Sequence, residues 1–116
     1  MKYLCLIYED ESLYATMDKP ALDAIMGEYY AFTEEIRASG QYVAGEALEP
    51  VHTATSVRVR NGKMSTTDGP FAETREQLGG FYLINAKDLN EAIQVASKIP
   101  GAKLGTVEVR PVMVFE

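Results

Sequence analysis

An α+β fold is predicted by three features of this 116-residue chain. Two segments are apolar on both alternating sets of positions, two stretches repeat their apolar residues every three or four places, and an Asn-Gly pair separates two alternating segments. The first feature marks strands covered on both faces, the second marks helices laid on a sheet, and the third marks a hairpin.

The elements follow in order. Residues 2–8 carry Tyr3, Cys5 and Ile7 on one set and Leu4, Leu6 and Tyr8 on the other, which predicts a first strand buried on two faces. Asp18-Lys19-Pro20 supplies a cap and a first-turn proline for a long helix with Leu22, Ile25, Met26, Tyr29, Phe32 and Ile36 on its apolar stripe. Gly40 stops that helix in the left-handed conformation a helix end favours. Residues 42–48 read as a weaker strand, and after Pro50 residues 54–60 alternate. Asn61-Gly62 then turns the chain so that residues 63–67 return antiparallel. Residues 80–85 form another strand apolar on both sides. Asp88 opens a second helix carrying Ala92, Ile93, Val95, Ala96 and Ile99, which Pro100-Gly101 ends. Residues 106–115 make the last strand, with Val107 and Val109 opposite Glu108 and Arg110.

Setting the hairpin aside, the order is strand, helix, strand, strand, helix, strand. This is the ferredoxin-like βαββαβ arrangement with an inserted β-hairpin. Both helices of such a fold lie on one face of the sheet, and the other face here carries apolar side chains from the first strand and from residues 81–84. A second copy packed sheet against sheet covers them, so a homodimer of dimeric α+β-barrel type is expected.

Composition bounds the function. Apolar residues make up 47% and charged residues 24%, an ordinary globular balance that excludes disorder, and the length suits a single domain over residues 1–116. Seventeen acidic against eleven basic residues give a net charge of −6, which opposes direct binding of nucleic acid. No apolar run reaches the roughly 18 residues a membrane span needs. The first ten residues lack a cleavage site and read as a strand of a cytoplasmic protein. Cys5, the one cysteine, reads as a small buried hydrophobe, and a single histidine, His52, leaves no metal site in prospect.

The densest chemistry lies in the unbroken run from Asp68 to Ile84. Asp68-Gly69-Pro70 is a turn by its residue types alone; alternatively it aims Asp68 as a general base, with the Gly69 N–H beside it, into a cavity between the sheets. Glu73 and Arg75 read as a solvated short helix, whereas Glu76 precedes a glycine pair that allows close approach by a ligand or a bulge. Glu108 and Arg110 point into the same inter-sheet space, either as a salt bridge or with Arg110 anchoring a carboxylate or phosphate. Arg58 joins them if its strand shares that face. Tyr8, Tyr29 and Tyr82 read as core or interface aromatics, and His52 as an exposed loop residue.

Four stretches together resemble the YCII-related family, in the branch marked by Asp-Gly-Pro-Phe: Lys2-Tyr3-Leu4, Ala44-Gly45-Glu46 with Leu48 and Pro50, the run just described, and Gly105-Thr106-Val107-Glu108-Val109-Arg110-Pro111-Val112. The resemblance spans nearly the whole chain and implies a ferredoxin-like dimeric α+β barrel. It also implies an association with extracytoplasmic-function sigma factors, and related proteins on this fold include a dechlorinating enzyme and muconolactone isomerases. The His-Asp pair it implies for other members is not carried over. The first helix holds Gly27-Glu28-Tyr29-Tyr30 at that place, with no histidine. Two functions are therefore expected as alternatives. One is a homodimer binding a small polar or anionic molecule between its sheets, with cofactor-free acid–base chemistry from Asp68 and an anchor in Arg110. The other is a non-enzymatic accessory or ligand-sensing module working beside a sigma factor.

Overall fold

A computed structural model describes all 116 residues. β1 (Lys2–Glu9) sits inside a four-stranded antiparallel sheet, flanked by β5 (Gln77–Asn85) and β6 (Thr106–Pro111), with β2 (Tyr42–Ala47) on the far side of β5. Once the hairpin is skipped, the strand order β2-β5-β1-β6 is that of a ferredoxin-like sheet. β3 (Thr55–Arg60) and β4 (Lys63–Asp68) form a separate two-stranded sheet. Asn61 and Gly62 both take positive φ, 52° and 75°, the backbone a two-residue hairpin turn requires.

α2 (Lys19–Ala38) begins where Asp18 accepts a hydrogen bond from the Ala21 N–H at 3.0 Å. It ends at Gly40, φ 77°, whose N–H reaches the Arg37 carbonyl while the Gln41 N–H reaches that of Ile36. α3 (Leu89–Ala96) starts in the same way, with Asp88 accepting from the Glu91 N–H. The core lies between these helices and one face of the sheet: Tyr3, Cys5 and Ile7 of β1 and Tyr82 and Ile84 of β5 pack with Phe32 and Ile36 of α2 and with Ala92 and Val95 of α3.

Some expectations are corrected. The second helix stops at Ala96, and Ile99 is buried in the turn after it, before the short α4 (Gly101–Leu104). Residues 73–76 form no helix, because the Thr74 hydroxyl bonds the Glu76 carbonyl and the Gln77 amide bonds the Thr74 carbonyl in place of a helical ladder. The last strand ends at Pro111. Beyond the bond from the Val112 N–H to the Lys2 carbonyl, β1 offers it no further partner, and Met113, Val114 and Phe115 stand in solvent. A one-turn α1 (Ser12–Ala15) follows β1, and a short 3₁₀ turn (Val51–Thr53) follows β2.

The opposite sheet face carries Leu4, Leu6 and Tyr8 of β1 beside Leu78, Phe81 and Leu83 of β5, all half-buried, and no helix lies over it. The radius of gyration is 16.2 Å, against about 13 Å for a compact domain of this length. No helix is long and apolar enough to cross a membrane.

Candidate functional site

β1 places Tyr3, Cys5, Ile7 and Glu9 on the helix-covered side, and Glu9 is only 7% exposed. A carboxylate withdrawn from water needs donors. Two phenols supply them: Tyr14 donates to Glu9 Oε2, and Tyr29 donates to Oε1 at 3.2 Å. α1 delivers Tyr14, and its start is fixed by Asp10, whose carboxylate accepts from the Ser12 hydroxyl at 2.7 Å and the Ser12 N–H at 3.0 Å. Those bonds hold the Asp10 carboxyl below its ordinary range. α2 delivers Tyr29.

Gly101 closes the remaining side. A Cβ at that position would stand 2.6 Å from Glu9 Oε1, 2.7 Å from the Ile7 methyl and 2.8 Å from the Tyr29 oxygen, so only glycine leaves the carboxylate and phenol where they are. Burial, reinforced by the Glu9 charge, pushes the Tyr14 and Tyr29 phenols well above their ordinary pKa, so both stay protonated as donors. A carboxylate has about four lone-pair positions, and the phenols fill two. The others take no hydrogen bond within the chain.

Glu9 forms part of the wall of a cavity of about 560 Å³ between α1, α2 and the β2 edge of the sheet. Ile7, Ile25, Met26, Leu48 and Pro50 make it largely apolar, and Arg37 is the one cation on its lining. Thr33 sits mid-wall and donates to the Tyr29 carbonyl at 2.9 Å. Its single proton spent, it accepts from Tyr82 at 2.8 Å. Burial raises the Tyr82 phenol as well. Of the acidic groups on the lining, Glu11 accepts from the Val51 N–H at 3.0 Å, and Glu46 stands opposite Phe81 and so belongs to the sheet's other face.

The sequence-predicted residues lie elsewhere, in two groups. Asp68 is the exposed last residue of β4, opposite Thr55. Gly69, φ 98°, ties the base of the hairpin by donating to the Ala54 carbonyl at 2.7 Å and accepting from the Ser56 hydroxyl at 2.9 Å. Arg58 is exposed on β3 opposite Ser65. In the second group Glu108 and Arg110 stand opposite Leu6 and Leu4 on the uncovered face and form an ion pair, while Glu76 accepts from the Thr106 hydroxyl at 2.9 Å at the start of β6. Within one chain no hydrogen bond or ion pair joins the groups, which occupy different sheets. A second cleft of about 990 Å³ lies between the hairpin base and the uncovered face, lined by Tyr8, His52, Phe71 and Glu73 among others. No group of three or more His, Cys, Asp or Glu side chains is arranged to hold a metal ion.

Sequence reasoning missed Glu9, Tyr14 and the role of Tyr29. The signal was present: Glu9 continues the two-residue period of Tyr3, Cys5 and Ile7, so it falls on the covered side.

Comparison with known proteins agrees with this architecture. Residues 1–116 match the family described as YCII-related domain. An uncharacterised protein of Rhizobium meliloti (strain 1021) is 35% identical over 118 residues, covering 100% of this chain and 95% of that protein.

Proposed function

The chain belongs to the YCII-related domain family, and from that premise we propose that it binds a small molecule and performs cofactor-free acid–base chemistry in the cavity beside Glu9. The observation that carries the reading is a carboxylate 7% exposed, steadied by two phenols, with unfilled lone pairs at the wall of a cavity of about 560 Å³. That volume suits a small organic ligand. Glu9 takes a proton from a C–H beside a ligand carbonyl and returns it to another carbon, an isomerisation, or the ligand expels a leaving group instead. Tyr14 and Tyr29 fix the direction of the lone pairs.

A second reading places the ligand between the sheets of two copies. In its favour, Glu108 and Arg110 project from the uncovered face among Leu4 and Leu6, an apolar surface that a second copy of this chain buries. There Asp68 serves as base and Arg110 as anchor, with Gly69, Glu76 and Arg58 beside them. The Asp68-Gly69-Pro70-Phe71 run supports membership of the Asp-Gly-Pro-Phe branch of the family.

Ligand-observed NMR with a fragment set of phenols, lactones and carboxylates separates the two. Hits are expected to lose binding in Glu9→Gln and to keep it in Asp68→Asn. Hits indifferent to Glu9→Gln overturn the first reading.

A further inference from the structure

On α2, Tyr29, Thr33 and Arg37 follow one another at intervals of four residues and all three line the cavity, so they form a single row along the helix. From Tyr29 to Arg37 the row spans eight residue steps, about 12 Å of helix axis. Its ends have opposite chemistry. At the Tyr29 end stands the Glu9 carboxylate, an acceptor. At the Arg37 end stands a guanidinium that makes no ion pair anywhere in the chain.

Arg37 is exposed yet held: its guanidinium carbon lies 4.6 Å from the centroid of the Tyr42 ring. Tyr42 meets Tyr82 edge to face at 6.5 Å, and Tyr82 meets Phe32 in the same way at 5.0 Å, which ties the cation's platform to the core. The ring holds the cation without using its N–H groups in an ion pair, which leaves the guanidinium fork free for a carboxylate. Between the two ends the lining is Thr33, Gly45 and the Tyr82 ring, and the Thr33 and Tyr82 hydroxyls already bond one another, so the middle offers a ligand no free polar group.

We infer that the cavity takes a small organic carboxylate lying along α2, its carboxylate on the Arg37 fork, an apolar body in the middle, and a hydroxyl, amine or acidic C–H presented to Glu9. This rests on the cavity reading proposed above and adds the ligand's polarity to it. Reversal of the ligand is disfavoured because it sets its carboxylate against that of Glu9.

Calorimetric titration with three probes tests the assignment: 3-(4-hydroxyphenyl)propanoate, the corresponding primary amide, and 3-phenylpropanoate. The first is expected to bind the wild type roughly tenfold or more tightly than the amide, the advantage of a charge-assisted hydrogen bond over a neutral one. Arg37→Gln is expected to erase that difference and leave amide affinity unchanged. Glu9→Gln is expected to weaken the two hydroxylated probes and spare 3-phenylpropanoate. Equal binding of acid and amide, with Arg37→Gln silent but Glu9→Gln effective, overturns the polarity and leaves the cavity reading standing. Binding indifferent to Glu9→Gln, or no binding of any probe at millimolar concentration, overturns both.

Discussion

Leu83 and Ile84 are neighbours in β5 with the same side-chain composition and opposite surroundings. Ile84 is fully buried among the helix-side residues, whereas Leu83 is half-exposed on the face no helix covers. Charge divides along the same line. Glu9 on the covered side is held by two phenols and by the space Gly101 leaves, while Glu108 and Arg110 on the open side hold one another in water. A charge placed on the covered face therefore requires a built environment, and a charge on the open face requires only a counter-ion.

Truncating the two neighbours is the strongest way to break that contrast. Ile84→Ala is expected to cost about 3–4 kcal/mol in urea denaturation, as the loss of a fully buried branched side chain does. Leu83→Ala is expected to cost about 1 kcal/mol in dilute solution. Equal costs at every protein concentration would remove the distinction between the faces. A Leu83→Ala cost that grows with concentration sharpens it, because only association removes that face from water. Next in size is Gly101→Ala, which forces a methyl against Glu9 and Tyr29 and is expected to destabilise by about 1–3 kcal/mol as overpacking does.

The covered side also predicts an alkaline weakness. The Tyr14 and Tyr29 phenols are raised above the ordinary 10.0, and the Cys5 thiol is pushed by burial from 9.0 up to about 11. As pH rises past the ordinary values, the unfolded chain releases these protons before the folded one, so the unfolded state binds fewer protons and stability falls. The thiol adds to the fall from about pH 9 to 11, and the phenols add to it above 10. In thermal melts Tyr14→Phe is expected to cost about 1.5–3 kcal/mol at neutral pH for its lost hydrogen bond to the buried Glu9 carboxylate, and to make the decline above pH 10 shallower. An unchanged alkaline slope would mean that Tyr14 is not held against Glu9.

The fold was legible in local signals because each is short-range: Asp18 and Asp88 as caps, Gly40 as a stop, Asn61-Gly62 as a turn, and two-sided strands around β1 and β5. The cavity site was not, because its parts are far apart in sequence and individually ordinary. Tyr14 and Gly101 acquire meaning only once α1 and α4, two four-residue helices, fold back on the end of β1. Helices that short leave no periodic trace. Glu9 was legible in principle from its parity, but an acid closing a strand also reads as a solvated end.

The smallest expected effect belongs to Arg110. Its ion pair with Glu108 is exposed, 68% and 40% by side chain, so Arg110→Ala is expected to cost under about 0.5 kcal/mol in dilute solution. Its size is what makes it informative. If two copies bury this face, removing Arg110 leaves the Glu108 carboxylate uncompensated in the interface, and the cost rises toward the roughly 3–5 kcal/mol of a broken buried pair. Sedimentation of Arg110→Ala and wild type across a concentration series then reads the open face directly. Association that is weaker in the variant places the pair inside an interface, and identical behaviour leaves it the solvated counter-ion pair the single chain displays.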